Sequence, residues 1–442
     1  MPQSRESLAR VQRLSEATPE SENPQGELVF RFKAEFMNSL LGIGFLLLVA
    51  WLLSSNRRAI NLRTVGLAFA LQVLIGYVAL FSEWGQAGLN IASDQIASLL
   101  GFSRAGIDFM FGGLVSVDSN LGFIFAFSVL PVVIFFSALI AVLYHIGVMH
   151  WIIRTLGGAL KKILGTSHTE SLSASANIFV GQAEAPLVVR PYLAGMTSSE
   201  LFAIMVGGMA SIAGSVMAGY AALGIPLEYL LAASFMAAPG GLLMAKLIEP
   251  ETNVPVRPER GEGPERDSYI NLVDAAASGA MDGFRMAGAI AAMLIAFIGL
   301  IALVNGLLGW GGSLVGFADL SLEGLLGIIF RPLAWLLGVP WSEAAMAGSL
   351  IGQKLVLNEF VAYVAFTDIA DQFSPVASAI TIFALCGFAN LSSIAILLGG
   401  LGAIAPVRRD EISRFGLRAL LAATLSNLMS AALAGLFLSL GA

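Results

Sequence analysis

The sequence predicts an all-α polytopic membrane protein with eight transmembrane helices, two re-entrant helical hairpins and interfacial helices. Three observations carry this. Of 442 residues, 57% are hydrophobic and only 12% charged, where soluble chains average about 25% charged. Apolar runs near or above the roughly 20 residues that cross a bilayer as a helix recur along the chain. Two of these runs are interrupted at their centres by polar residues. A charge at membrane depth costs roughly 2.5–3.5 kcal/mol on insertion scales, and such residues usually face a cavity.

Residues 1–36 hold five basic and six acidic residues among Ser, Pro and Gln; without an apolar core of their own they read as a disordered tail. No secretory leader is expected, since the first apolar run begins only near Met37. Spans are expected over 37–54, 64–81 and 121–144, with one or two surface helices in the less hydrophobic stretch 83–120. Residues 151–164 set Arg154, Lys161 and Lys162 against an apolar face, as a helix lying on the membrane does. The first interrupted segment, 168–194, precedes spans over 201–223 and 227–247. A charged, proline-rich linker (249–267), a second surface helix (271–285) and a span (287–308) come next. An amphipathic stretch (320–339), the second interrupted segment (344–366), a span (377–401), a basic loop and a last span (420–440) complete the chain.

Cytoplasmic loops are enriched in Lys and Arg. With Arg57 and Arg58 inside, the helix bearing Arg154, Lys161 and Lys162 also falls inside. The loops at 249–267 and at Arg408 and Arg409 join them if both interrupted segments turn back to the face they entered from. The net charge of −6 without a basic block gives nucleic-acid binding no support. The single cysteine, Cys386, excludes an intrachain disulfide and a multi-cysteine metal site. His145, His150 and His168 lie near the ends of apolar segments, where an interfacial role is expected. No histidine lies in the polar breaks and no carboxylate pair or nucleophile–base motif is present, so an intramembrane enzyme is disfavoured.

The two breaks resemble each other. Gly-Gln followed by a glutamate occurs at 181–184 and at 352–359, and a Ser-Ile-Ala follows each, at 211–213 and 393–395. Paired interrupted segments in two halves are the sequence mark of a transporter's midplane binding site. In the first, Pro186 suits the first turn of a returning half-helix, where its missing N–H is harmless. Gln182 offers donor and acceptor and ionised Glu184 acceptors only, a set that suits a neutral ligand rich in N–H and O–H groups. In the second, Asn358 and Glu359 open the returning half-helix, and Glu359 can accept from a sugar hydroxyl. Lys354 is expected to pair with a carboxylate and keep the hairpin tip neutral. Asn390 and Ser393 share a helical face; Phe388 either presents its ring to a planar ligand or packs in the core. Asn177, the carbonyl of Val180, Ser211 and the carbonyl of Ile212 supply hard oxygens enough for Na⁺.

At Gly-Gln-Ala-Glu-Ala-Pro-Leu-Val-Val-Arg-Pro-Tyr (181–192), Met-Ala-Ser-Ile-Ala-Gly-Ser-Val-Met-Ala-Gly-Tyr (209–220), Asn-Glu-Phe-Val-Ala-Tyr (358–363) and Cys-Gly-Phe-Ala-Asn-Leu-Ser-Ser-Ile-Ala (386–395) the chain resembles the concentrative nucleoside transporter family, in its bacterial members. The resemblance covers everything after the N-terminal tail. It implies a homotrimer in the inner membrane that imports nucleosides with a cation, Na⁺ before H⁺, by an elevator motion, without an organic cofactor. A non-transporting gate protein on the same fold is the lesser alternative. It also implies a division of the chain: a scaffold over 37–164, the first half of an inverted-repeat transport domain over 165–248, linker, interfacial helices and scaffold span six over 249–340, and the second half over 341–442. Family roles fall on Gln182 and Glu184 for the nucleobase, on Glu359, Asn390 and Ser393 for the ribose, and on Phe388 for the base. The sodium ligands fall on Asn177, Val180, Ser211 and Ile212. Ala183 stands where relatives often carry Thr or Ser, which removes a hydroxyl contact to the base.

Overall fold

The computed structural model describes residues 24–115, 124–255, 269–314, 316–317 and 320–441, and the regular secondary structure within them is all helical. The expected tail up to residue 23 lies outside them. From Pro24 the chain is already helical: α1 runs Pro24–Leu52, so residues 24–36 extend the first span instead of belonging to a disordered tail. Extending a helix that is already nucleated is much easier than starting one, so its end need not coincide with the start of the apolar run.

Helix α2 (Leu62–Leu80) is capped by Asn61, whose side chain accepts from the N–H groups of Arg63 and Thr64. Helices α3 (Glu83–Gly101) and α4 (Ser103–Phe111) fill the expected surface stretch and leave Trp84, Phe102 and Phe109 exposed. The third span is the short α5 (Phe125–Ser128) followed by α6 (Leu130–His145), with Pro131 in the first turn of α6. Helix α7 (Val148–Leu164) buries Met149, Ile153, Gly157, Leu160 and Leu164 on one side and ends in Lys161 and Lys162.

The first interrupted segment is α8 (His168–Ala176), an irregular turn, and a returning 3₁₀ arm over Ala185–Gly195 that packs back on α8. Pro186 sits in the first turn, where its missing N–H costs nothing, but Pro191 inside the arm lacks the N–H that an i→i−4 ladder needs. Next come α9 (Ser198–Ala210) and α10 (Gly214–Ala222), a span broken at 211–213, and α11 (Leu227–Ile248).

The surface helix expected at 271–285 and the span expected at 287–308 are one helix, α12 (Leu272–Leu314), 43 residues long. At 1.5 Å per residue it measures about 64 Å, roughly twice the hydrocarbon thickness. Its glycines are packing seams: a Cβ on Gly279 or Gly283 would fall 2.5–2.8 Å from Ala141 or Ser137 of α6 or from the α6 backbone. They bring two helices close without breaking either one.

The second half repeats the order of the first. After α13 (Leu322–Leu336) come the hairpin arms α14 (Ala344–Val356) and α15 (Glu359–Ile369), which pack on each other. A span broken between α16 (Pro375–Leu385) and α17 (Leu391–Ile404) follows, and then α18 (Arg409–Gly441). The basic loop expected before the last span is largely the start of α18. Arg408 is tied down by Glu411 and by the carbonyl of Met196, and Arg418 by Glu249.

Seven helices or helix pairs among the described residues are long and apolar enough to cross a bilayer; α16 and α17 are each shorter. Burial sorts these spans into two groups. Within their apolar windows, α9–α10, α11 and α18 are 100%, 94% and 83% buried, whereas α1, α2, α5–α6 and α12 are 33% or less. The repeated elements therefore form the core, and the other spans lie around it with faces left over for lipid or another chain.

Candidate functional site

The site is built where the breaks meet. Helix α8 ends at Asn177, which is 2% exposed and whose Oδ1 and Nδ2 have no hydrogen-bond partner among the described residues. Asn177 lies against α9, where a Cβ on Gly207 would stand 3.1 Å from its Nδ2. Two residues on, the carbonyl of Phe179 accepts from the N–H of Gly214, at 2.9 Å, across the break of the neighbouring span. Ser211 in that break donates through Oγ to the carbonyl of Gly207, and its own carbonyl accepts from the N–H of Phe388 in the other broken span. The first hairpin and both broken spans are thus stitched together by main-chain groups that helix ends leave unsatisfied.

Between them lies a cavity of about 210 Å³. Gln182, Ala183 and Glu184 line it from the first half, and Glu359, Phe388, Asn390 and Ser393 from the second. All seven residues singled out for the ligand therefore face one space. Gln182 crosses between the halves, donating from Nε2 to Ser393 Oγ at 3.0 Å over a separation of 211 residues; its Oε1 is buried without a partner among the described residues. Glu184 Oε2 accepts from the N–H of Gly181 at 3.1 Å, which closes the tip of the hairpin. Glu359 Oε1 accepts from the Tyr220 hydroxyl at 2.9 Å and Oε2 from Asn390 Nδ2 at 2.8 Å. Asn390 also caps α17, accepting from the N–H of Ser393, and Asn358 caps α15, accepting from the N–H of Val361. Phe388 lines the cavity and packs, partly buried, against the core.

Of the four residues singled out for a cation, Asn177 and Val180 belong to the first hairpin's turn, and Ser211 and Ile212 to the break stitched to it. All four are buried. The buried Asn177 Oδ1, unpartnered among the described residues, is a hard oxygen that a cation fits, since such atoms are rarely left unsatisfied.

Six residues that carry the site were missed in the sequence. Tyr220, at the C-terminal end of α10, orients Glu359; a tyrosine buried in an apolar helix needs a partner for its hydroxyl, and that was the available signal. Asn427 in α18 donates to the carbonyls of Ala210 and Cys386, one at each broken span; a lone asparagine in an apolar span carried the same warning. Met286, Ile290, Met293 and Leu294 of α12 form the cavity's apolar wall, and nothing in the sequence distinguished them. The expectation for Lys354 is corrected: it makes no ion pair with a carboxylate among the described residues. Its ammonium donates to the carbonyl of Ala384 and to Asn427 Oδ1, both at 2.8 Å; the C-terminal end of α16 offers a cation free carbonyls and partial negative charge.

A second cavity, of about 190 Å³, shares Glu184 and Met286 with the first and is lined by Ser137, Tyr144, His150 and Tyr269 among others. His150 stands edge-on to Tyr144, with ring centroids 5.3 Å apart. At the base of the first hairpin, burial holds the His168 imidazole below its ordinary value, and Lys161 and Arg154 push in the same direction.

Comparison with known proteins assigns this architecture. Residues 229–435 match the Na⁺ dependent nucleoside transporter C-terminus, residues 41–114 the N-terminus of the same family, and residues 126–227 a nucleoside recognition (Gate) domain. The chain is 48% identical over 413 residues to the nucleoside permease NupC of Helicobacter pylori, covering 91% of this chain and 98% of that protein. The chain belongs to the concentrative nucleoside transporter family. It is also 39% identical to the mouse sodium/nucleoside cotransporter 1, covering 91% of this chain and 64% of that protein. Among solved structures, CNTnw in an inward-facing substrate-bound state superposes with a TM-score of 0.88 at 54% identity, covering 92% of this chain and 99% of that one. As a concentrative nucleoside transporter the chain is a multi-pass protein of the cell membrane, and its work is transport rather than catalysis.

Proposed function

We propose that this transporter imports nucleosides together with Na⁺, and that the cavity between the two hairpins is its substrate site. The observation that carries this reading is the convergence of Gln182 and Glu184 from one half with Glu359, Asn390 and Ser393 from the other on a single space. A nucleoside has a base edge mixing donors and acceptors, and a ribose with hydroxyl donors. Gln182 Oε1 and Glu184 meet the base edge. Glu359, held by Tyr220 and Asn390, accepts from the ribose hydroxyls. The apolar wall of α12 and the Phe388 ring cover the faces of the base.

Coupling follows from the order of residues. A cation held by Asn177, the Val180 carbonyl, Ser211 and the Ile212 carbonyl fixes the turn that presents Gln182 and Glu184 only a few residues later. Each ligand then favours the conformation that binds the other, and the coupling free energy is reciprocal, typically 1–3 kcal/mol. The division into a buried repeated core and peripheral spans supports an elevator in which the core, carrying both ligands, slides against α1, α2, α5–α6 and α12. Exposed rings on α3 and α4 suit a homotrimer contact formed by the periphery. The test is uptake of labelled uridine or adenosine into proteoliposomes of the purified protein. Accumulation is expected with an inward Na⁺ gradient. Equal accumulation without sodium under a pH gradient would replace Na⁺ by H⁺, and none under either condition would overturn the transport reading of the cavity.

A further inference from the structure

The two halves treat the end of the hairpin's first helix differently. In each, a side chain at the C-terminal end of the hairpin's first helix reaches the last turn of the helix that opens the following broken span. In the first half this is Asn177, against Gly207 of α9, with both polar atoms unpartnered. In the second it is Lys354, in the last turn of α14, whose ammonium donates to Ala384 near the end of α16. The C-terminal end of a helix carries partial negative charge and unsatisfied carbonyls, so each position attracts a cation.

We propose that the Lys354 ammonium is a tethered cation that fills, in the second half, the place an exchangeable ion takes in the first, and that it acts as a positioning residue for both breaks. It holds Asn427 by Oδ1, which turns the Asn427 amide toward the carbonyls of Ala210 and Cys386. Ala210 immediately precedes Ser211, so the tethered charge reaches the edge of the exchangeable site. Gly387 makes room for this: a Cβ there would fall 2.4 Å from Asn427 Oδ1, and its φ of +155° belongs to glycine. Lys354 is 3% exposed, and the carbonyl and amide oxygens around it only accept hydrogen bonds, as an ammonium requires. The proposal rests on the cation-coupled reading for the first position only.

The test uses the purified full chain and measures uridine binding calorimetrically across a sodium titration. Lys354→Ala removes three methylenes and the ammonium, a space that propylammonium refills. Weakening of uridine binding by about tenfold or more is expected, as for stranded buried polar groups, with recovery in millimolar propylammonium and none in n-propanol, its neutral counterpart of the same size. Lys354→Met, which keeps the volume, is expected to bind as weakly and to ignore both additives. Equal rescue by propanol, or wild-type binding and sodium dependence in Lys354→Met, overturns the proposal. If neither variant yields monodisperse protein, Asn427→Leu removes one acceptor while keeping the charge; it is expected to raise the sodium requirement, and an unchanged requirement overturns the proposal as well. Wild-type binding indifferent to sodium would defeat the sodium assignment alone, because amine rescue reads the tethered charge whichever ion drives transport.

Discussion

The first hairpin is open to partners where the second is already satisfied. In the first, the Asn177 side chain and the side-chain oxygen of Gln182 are buried without hydrogen bonds among the described residues, Glu184 faces two cavities, and the return arm is a 3₁₀ stretch with Pro191 inside it. In the second, both oxygens of Glu359 are engaged, Asn358 caps a regular α-helical return, and Lys354 has two acceptors. A preorganised network holds its geometry without a ligand, while stranded polar groups gain by finding one. On the proposed reading the halves have separate tasks: the second would be a fixed template for the sugar, and the first would be completed by the base and the ion.

The comparison breaks first at Glu359. Its carboxylate is the anchor of the template, so Glu359→Gln removes a charged acceptor and leaves Tyr220 and Asn390 to compete for a weaker one. Hydrogen bonds to charged groups contribute about 1.5–3 kcal/mol, so nucleoside affinity is expected to fall roughly 10- to 150-fold, abolishing uptake while the purified protein keeps its helicity and oligomeric size. Uptake at the wild-type rate would remove Glu359 from the site.

Asn177 tests the other side. Asn177→Leu keeps the volume and removes the amide, so the sodium concentration for half-maximal uridine binding is expected to rise by about tenfold, within the 5- to 150-fold range of typical couplings. At saturating sodium the uridine affinity should recover. A variant weakened equally at every sodium concentration would make Asn177 a structural residue and dissolve the contrast between the halves.

Much of this contrast was legible in the sequence. The breaks announced themselves because glutamine, glutamate and proline are out of place in apolar runs, and the repeated Gly-Gln and Ser-Ile-Ala paired them. What stayed hidden depended on contacts between distant residues or on hydropathy standing in for helicity. Tyr220 and Glu359 are 139 residues apart, and no local pattern joins them. Hydropathy separates a surface helix over 271–285 from a span over 287–308, although nothing between 272 and 314 breaks a helix. Lys354 was given a carboxylate partner because lysines usually find one; the end of a half-helix competes equally well, and only the fold shows which is nearer. The prolines of the first return arm were visible, but the sequence pointed to a half-helix without distinguishing the 3₁₀ form.

A smaller effect is expected at Ala183, the exposed tip residue lining the cavity beside Glu184. Its Cβ lies 3.5 Å from where a Cβ on Gly400 would stand, so the tip sits close to α17 with little room behind it. Ala183→Ser adds one hydroxyl facing the base, and a neutral hydrogen bond contributes about 0.5–1.5 kcal/mol. The ratio of uridine to adenosine affinities is therefore expected to shift by about 2- to 12-fold with sodium dependence unchanged. An unchanged ratio would place the base elsewhere in the cavity.

The smallest effect concerns pH, and it again separates the hairpins: the first begins at His168, while no histidine lies in the second (344–369). Burial, and then Lys161 and Arg154, keep the folded-state His168 below the ordinary histidine value near 6.5. The unfolded chain therefore takes up this proton first as pH falls. Stability linked to His168 is complete above about pH 6.5 and declines as pH drops from there through the lower folded value. The ring is partly exposed, so solvent screens the effect and the shift is modest. Between pH 7.5 and 5.0 the melting temperature of the purified transporter is expected to fall, and His168→Gln should flatten part of that slope while leaving the value at pH 7.5 nearly unchanged. An identical slope in the variant would show that protonation at the base of the first hairpin does not oppose folding, and the difference between the hairpins would then be confined to their tips.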